Sequence, residues 1–174
     1  MKIAIVGYSG SGKSSLARFL SGKLSAPVLY LDTVHWLPGW QERPREETRE
    51  IVENFLNENE AWVIDGTYSK VHYERRMDEA DAIIFLNFNR FTCLHRAFKR
   101  RREYKGENRF SMTEGCEERI SWQFFWWLVW EGRTKERREK FAILQKKYPN
   151  KVIVLRNQRQ LNKFTREIEE GLWQ

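Results

Sequence analysis

The chain has little of what stabilises small secreted proteins. Of its 174 residues, two are cysteine (Cys93 and Cys116) and four are proline. Two cysteines exclude a disulfide scaffold and suit a reducing compartment. Long apolar runs are also missing: none reaches the ~18 residues of a membrane span, and the run near the first residue is too short for a signal peptide. We therefore expect a cytoplasmic protein without membrane contact.

An even distribution of charge is missing as well. The formal net charge is +7, yet residues 1–89 carry ten basic against 13 acidic side chains. The positive charge comes from residues 90–109, with a net +6, and residues 133–174, with a net +7. Because a basic surplus is typical of nucleic-acid binders, DNA is one candidate partner.

The apolar pattern predicts one α/β domain over residues 1–174. Aromatic residues make up 14% of the chain, which argues against disorder. Five short apolar runs lack polar alternation, which favours strands buried on both faces in a parallel sheet. They lie at residues 3–6, 28–31, 62–64, 82–88 and 152–155. Segments of helical period separate them, and the long last gap predicts a helical insertion, a lid, at about residues 100–131.

A glycine-rich sequence follows the first predicted strand. Gly-Tyr-Ser-Gly-Ser-Gly-Lys-Ser matches the phosphate-loop pattern G-x-x-x-x-G-K-[ST], with a strand before it and a helix after it. Backbone N–H groups in such a loop bind a nucleoside triphosphate, Lys13 reaches the outer phosphates, and the Ser14 hydroxyl binds Mg²⁺. The alternative is a chance glycine turn. The predicted nucleotide-binding residues are Gly7, Tyr8, Ser9, Gly10, Ser11, Gly12, Lys13, Ser14 and Ser15.

Two aspartates follow predicted strands directly. Asp32 and Asp65 should lie at the carboxyl edge of the sheet, where ligands of open α/β sheets bind. Phosphoryl transfer needs one carboxylate near the metal and another to orient the attacking hydroxyl. We prefer Asp65 beside the metal and Asp32 on the acceptor side, but the sequence also allows the reverse. Either residue could instead cap a helix.

The segment after Asp32 is a candidate acceptor site. Trp36 and Trp40 flank a Pro-Gly pair, and they either stack on a substrate ring or cover the sheet edge. His35 is a candidate base or a hydrogen-bonding wall residue. After the third strand, Gly66 and Tyr68 are further candidate substrate contacts.

Arginines cluster after the fourth predicted strand. Arg96 and Arg100 are four residues apart and would share one helix face, and Arg109 follows in the predicted lid. Guanidinium groups there could stabilise the charge on a transferring phosphoryl group. The alternatives are a solvated helix face and a nucleic-acid contact.

Residues 121–130 are rich in aromatic side chains. Trp122, Trp126 and Trp130 repeat every four residues, so a helix here would present them on one side. We expect a core helix that packs the insertion onto the body. The main alternative is the face of a homodimer.

These motifs together resemble the bacterial DNA topology modulation protein family, which is similar in turn to the adenylate and shikimate kinase group. The residues that carry the resemblance are Gly7 to Ser14, Leu31-Asp32, Pro38-Gly39-Trp40, Asp65-Gly66, the arginines and Gly115-Cys116-Glu117. The resemblance implies a P-loop fold with a five-stranded parallel sheet in the order 2-3-1-4-5 and a mobile helical lid. It also implies an adenine site near Arg156. Thr67-Tyr68 replaces the Pro-Arg of adenylate kinases, so the resemblance does not extend to AMP as acceptor.

The favoured function is therefore an ATP- and Mg²⁺-dependent phosphotransferase with a small hydroxyl- or phosphate-bearing acceptor. A second class of function remains open: a DNA-associated regulator that uses nucleotide as a switch without kinase turnover. A slow nucleotide hydrolase that signals through lid closure is a third alternative. The chain has no Asn/Thr-Lys-x-Asp sequence, which favours ATP over GTP.

Overall fold

A parallel sheet forms the centre of the protein. The computed structural model describes residues 1–104, 109–116 and 122–173. Its strands are β1 (Lys2–Gly7), β2 (Val28–Tyr30), β3 (Trp36–Leu37), β4 (Gln41–Glu42), β5 (Trp62–Asp65), β6 (Ala82–Leu86) and β7 (Val152–Leu155). Strands β3 and β4 form a separate antiparallel ribbon, and the other five form the sheet.

Helices connect the strands and cover the sheet. They are α1 (Lys13–Leu24), α2 (Leu31–His35), α3 (Arg45–Glu58), α4 (Tyr73–Glu79), α5 (Arg90–Glu103), α6 (Trp122–Val129), α7 (Lys135–Lys147) and α8 (Gln158–Glu169), with 3₁₀ turns at Pro38–Trp40 and Glu131–Arg133. None of the helices within the described ranges is long and apolar enough to cross a membrane.

The sheet confirms the predicted fold class. Its order is β2-β5-β1-β6-β7, and every pairing is parallel. The labels differ from the predicted order because the β3–β4 ribbon was not predicted. Without the ribbon, the five sheet strands lie in the order 2-3-1-4-5. Parallel pairing makes all the loops after these strands leave from one edge.

The second strand is shorter than the apolar pattern predicts. Pairing ends at Tyr30, and Leu31 begins α2. Leu31 is buried, and its Cβ lies 2.8 Å from the position that a Cβ on Gly66 would take. The short helix therefore packs Leu31 beneath the loop after β5 and places Asp32 in its first turn. Strand β6 likewise ends at Leu86 rather than at Phe88.

The core lies on both faces of β1. Ile3, Ile5 and Val6 have no exposed surface. Leu16 and Leu20 of α1 pack in the same cluster, as their four-residue spacing predicts. Burial on both sides explains the absence of polar alternation in the strands.

The aromatic helix α6 packs on the core as expected, but with one side only, through Phe124, Trp127 and Leu128. Leu128 is buried, but Trp122, Trp126 and Trp130 are 79%, 53% and 61% exposed. Trp126 and Trp130 stack on each other, with ring centroids 6.1 Å apart. Residues 105–108 and 117–121 of the predicted insertion at about 100–131 lie outside the described ranges. Ser121, the first residue of the predicted aromatic helix, is one of them.

The exposure of α6 predicts a contrast in stability. Trp122→Ser should change the free energy of unfolding by less than about 1 kcal/mol, because the ring is mostly in solvent. Leu128→Ala should lower it by about 2 kcal/mol or more, because a buried side chain is truncated. Urea unfolding of both variants measures the difference, and equal losses would show that α6 is buried on its tryptophan side.

Candidate active site

The turn between β1 and α1 has the shape of a phosphate-binding loop. Gly10 has a φ of 73°, and a Cβ there would lie 2.5 Å from the carbonyl oxygen of Cys93. Gly12 caps α1 in the left-handed conformation, with a φ of 97°. Inside the turn, the Ser11 hydroxyl donates to the Tyr8 carbonyl oxygen at 2.7 Å. The backbone here can wrap around an anion at a helix N-terminus because glycines occupy the positions that side chains cannot.

Ser14 and Asp65 form a hydrogen-bonded pair beside this loop. The parallel register aligns Ile5 of β1 with Asp65 at the end of β5. The Ser14 hydroxyl donates to Asp65 Oδ2 at 2.6 Å. Burial raises the pKa of the Asp65 carboxyl, and the ammonium of Lys13 opposes this effect. Lys13 itself donates to the Tyr8 carbonyl oxygen at 3.1 Å.

The same pair fits a hard cation. Asp65 is 6% exposed, and its Oδ1 atom is buried without a hydrogen-bond partner among the described residues. A buried carboxylate oxygen without a partner is costly, and a hydroxyl and a carboxylate are oxygen ligands of the type that Mg²⁺ takes together with phosphates. The residues present therefore fit a magnesium ion shared with a bound polyphosphate.

Asp32 follows β2, the strand that pairs with β5, and its negative charge adds to the rise in the pKa of Asp65. Its Oδ1 atom accepts a hydrogen bond from the Tyr68 hydroxyl at 2.8 Å. Its Oδ2 atom accepts one from Arg109 Nη2 at 2.9 Å. Burial raises the pKa of Tyr68, and the negative charge of Asp32 raises it further. Tyr68 thus stays a proton donor to Asp32 at physiological pH.

Residues 109–116 dock against the ribbon that follows Asp32. The Thr113 hydroxyl donates to the carbonyl oxygens of Thr33 and Trp36, at 3.1 and 2.5 Å. The Gly39 N–H donates to the Gly115 carbonyl oxygen at 3.2 Å. Together with the Arg109–Asp32 ion pair, these contacts fasten part of the predicted lid to α2 and the ribbon.

The predicted arginines lie in three different surroundings. Arg96 donates to the Ser11 carbonyl oxygen at 2.5 Å and to the side chain of Gln158, so it supports the phosphate loop. Arg100 lines the cleft, and Arg109 pairs with Asp32. Arg156 has an exposed side chain and is not among the residues that line the cleft, whereas Gln158 is.

An open cleft of about 2250 Å³ brings most predicted site residues together. The predicted residues that line it are Gly7, Tyr8, Ser9, Gly10, Gly12, Lys13, Ser14, Ser15, Asp32, His35, Trp36, Trp40, Asp65, Gly66, Tyr68, Arg96, Arg100 and Arg109. Ser11 is buried inside the loop instead. The cleft thus joins the phosphate loop to the aromatic ribbon.

Comparison with known proteins agrees with this geometry. An AAA domain family, AAA_18, matches residues 3–117, which run from β1 through the phosphate loop to the end of the docked segment. The chain belongs to this family. No curated protein matches the chain significantly.

Solved kinase structures share the fold. Deoxyadenosine kinase from M. mycoides with bound dATP is 18% identical, with a TM-score of 0.57 and 99% of each chain covered. A gluconokinase from Sinorhizobium meliloti is also 18% identical, with a TM-score of 0.53, covering 98% of this chain and 90% of that one. This member of AAA_18 therefore has a P-loop kinase-like fold. The DNA topology modulation family is not confirmed.

Sequence reasoning missed a buried arginine beneath the site. Arg76 has no exposed surface and donates to the carbonyl oxygens of Val71, Gly66 and Tyr68, at 3.0, 3.1 and 2.6 Å. Burial lowers the pKa of Arg76 to about 10, so it remains charged at neutral pH. It fixes the loop that carries Tyr68. No motif marks it, because its partners are carbonyl groups rather than acidic side chains.

The stability of the loop after β5 should depend on the forked shape of the Arg76 guanidinium. Arg76→Lys should lower the free energy of unfolding by about 2–4 kcal/mol, because one ammonium cannot reach three separated carbonyls and leaves buried acceptors without partners. The neighbouring Arg75→Lys is the control, since Arg75 makes a partly exposed pair with Glu79, worth about 1 kcal/mol at most. Equal effects in urea unfolding would contradict this role of Arg76.

Proposed function

We propose that the protein is a phosphotransferase that uses Mg²⁺ and ATP and acts on a small hydroxyl-bearing acceptor. One observation carries the proposal: two carboxylates line one cleft, Asp65 bonded to Ser14 beside the phosphate loop and Asp32 just after the neighbouring strand β2, one strand further from the loop. Asp65 has the surroundings of a metal-side group, and Asp32 those of an acceptor-side group. Phosphoryl transfer needs this division, because its catalysis is mainly positioning and charge stabilisation.

On the nucleotide side, the loop N–H groups and Lys13 would bind the phosphates of ATP. Ser14 and Asp65 would hold Mg²⁺, which when bound neutralises charge on the phosphate oxygens. Arg96 would act indirectly by supporting the loop through the Ser11 carbonyl. Arg156 is a weaker candidate for an adenine contact than Gln158, because only Gln158 lines the cleft.

On the acceptor side, Asp32 would orient the attacking hydroxyl. The hydroxyl oxygen forms a bond to the γ-phosphorus, the bond from that phosphorus to the bridging β–γ oxygen breaks, and ADP leaves. The hydroxyl proton passes to Asp32 and then to solvent. Both Asp32 oxygens already accept one hydrogen bond, but each has a further lone pair for the hydroxyl.

The arginines would complete the site when nucleotide binds. Arg100 already lines the cleft, and Arg109 would move from Asp32 toward the transferring phosphoryl group. Such a movement would link the lid segment to Asp32, because the Arg109 side chain would pair with Asp32 before nucleotide binds and with the phosphoryl group afterwards. The solved neighbours include a deoxyadenosine kinase and a gluconokinase, which supports a small hydroxylated acceptor in this fold.

The alternative of a DNA-associated regulator would depend on the basic C-terminal third. Several of its charges pair within their own helices, as Lys140 does with Glu136 and Lys163 with Glu167. Such pairing reduces the field available to phosphates, and we favour the phosphotransferase. A homodimer through the exposed tryptophans of α6 is a separate proposal, which sedimentation analysis of Trp126→Ser would test.

Asp65→Asn should separate stability from nucleotide binding. Because burial raises the pKa of this carboxyl, its charge costs folding free energy at pH 7, and the neutral amide should leave the unliganded protein as stable or more stable. The extra thermal stabilisation that Mg²⁺ gives in the presence of ATP should disappear. Retention of this magnesium effect in the variant would contradict the metal-side assignment.

Asp32→Asn should separate binding from transfer. The variant should bind ATP like the wild type, since Asp32 follows β2, which β5 separates from β1 and its phosphate loop. It should lose acceptor phosphorylation by about 10²-fold or more. Calorimetry with ATP and a transfer assay measure the two properties. Tyr68→Phe is the matched control: it removes one hydrogen bond to Asp32 and keeps the carboxylate, so its loss should be smaller.

A further inference from the structure

The acceptor half of the cleft is lined with aromatic rings next to Asp32. Trp36 and Trp40 have ring centroids 5.5 Å apart, and His35 lies 4.9 Å from Tyr68. All four residues line the cleft and are neither buried in the core nor fully exposed. Rings in this position can offer their faces to a flat ligand.

Trp40 is held in an unfavourable backbone conformation. Its φ is 63°, in the left-handed region that a bulky side chain seldom adopts. The ribbon maintains this conformation because the Arg43 N–H donates to the His35 carbonyl oxygen at 2.8 Å and the docked segment holds Gly39 from the other side. Strain of this kind is typical of ligand clamps.

The cationic side chains nearest these rings already have partners in the protein. Arg109 pairs with Asp32. Arg43 donates to the Val34 carbonyl oxygen at 2.8 Å and lies 3.6 Å from Glu47. Arg76 is buried and donates to three carbonyl oxygens. In the proposed reaction Arg109 serves the transferring phosphoryl group, so an acceptor that carried its own phosphate or carboxylate would have to break the contacts of Arg43 or Arg76.

The remaining charges in this half of the cleft do not favour an anion either. Lys70 and Arg45 line it, but both are exposed, so their charges are solvated. Glu42 pairs with Trp36 in the ribbon and lies 4.0 Å from His35, and with Asp32 it makes the surroundings of the rings unfavourable for a negative ligand.

We infer that the acceptor is an uncharged alcohol with a planar heteroaromatic ring, the chemistry of a nucleoside, and neither a nucleoside monophosphate nor a sugar acid. The ring stacks on the face of Trp40 and meets Trp36 edge to face, because the two indole planes are inclined by 69°, and the hydroxyl faces Asp32. This assignment depends on the proposed function only for the transfer step, because ring recognition is a binding property. It also agrees with the sequence Thr67-Tyr68 after Asp65-Gly66, because these two side chains add no positive charge for an acceptor phosphate. The Tyr68 hydroxyl donates to Asp32 instead.

Calorimetry on the full chain with Mg²⁺ and ADP present tests the inference. The probes are adenosine, guanosine, cytidine and thymidine, their 5′-monophosphates, and gluconate. We expect at least one nucleoside to bind at least about tenfold more tightly than its own monophosphate and than gluconate. Tighter binding of a monophosphate or of gluconate would overturn the inference, and so would the absence of nucleoside binding.

Three variants test the role of the Trp40 ring in nucleoside binding. Trp40→Ala should weaken nucleoside binding about tenfold or more, in the range of one lost base-stacking contact, with ATP affinity unchanged. Trp40→Phe should keep most of the affinity, and Trp122→Ala, outside the cleft, should change neither ligand. Equal loss of ATP and nucleoside affinity in Trp40→Ala would overturn the role of this ring.

A transfer assay keeps the two ideas separate. If a nucleoside binds as expected but ATP is never consumed, the proposed function fails and the binding assignment remains. If ATP is consumed with charged acceptors only, the phosphotransferase remains and the acceptor assignment fails.

Discussion

The parallel pairing of β1 with its two neighbours is the constraint on which the site depends. Because β1 lies between β5 and β6 in register, its end at Gly7 and the end of β5 at Asp65 face the same edge of the sheet. The phosphate loop begins at the end of β1, and the Asp65 carboxylate lies at the end of β5, bonded to Ser14. A shift of one residue in this pairing would turn Asp65 to the opposite face and separate it from Ser14.

The acceptor side depends on contacts between distant parts of the chain. Asp32 is positioned by the short helix after β2, and its oxygens are held by Tyr68 and Arg109, which are 36 and 77 residues away. The ribbon with Trp36 and Trp40 is fastened by the segment at Thr113. Arg109, which pairs with Asp32, and Thr113, which bonds the ribbon, therefore belong to the same stretch of chain.

The sequence predicted the features that local chemistry determines. A strand, a glycine turn and a helix in succession specify the phosphate loop, and uniform apolar runs specify buried parallel strands. It missed features that tertiary packing decides. Arg76 is bound by carbonyls, which leave no sequence signal. Trp122, Trp126 and Trp130 have the spacing of a buried stripe but face solvent, because the other side of α6, with Trp127 and Leu128, packs on the core. The β3–β4 ribbon is two residues per strand, too short for a periodic pattern.

The central claim is that ATP is used to phosphorylate an acceptor. The most direct measurement is ADP formation by the full chain with Mg²⁺ and ATP, with and without a pool of uncharged nucleosides. The account predicts that ADP forms at a rate that rises with acceptor concentration, together with one phosphorylated nucleoside per ADP. ADP formation that is independent of acceptor, with no phosphorylated product from any nucleoside or small hydroxylated metabolite, would contradict it.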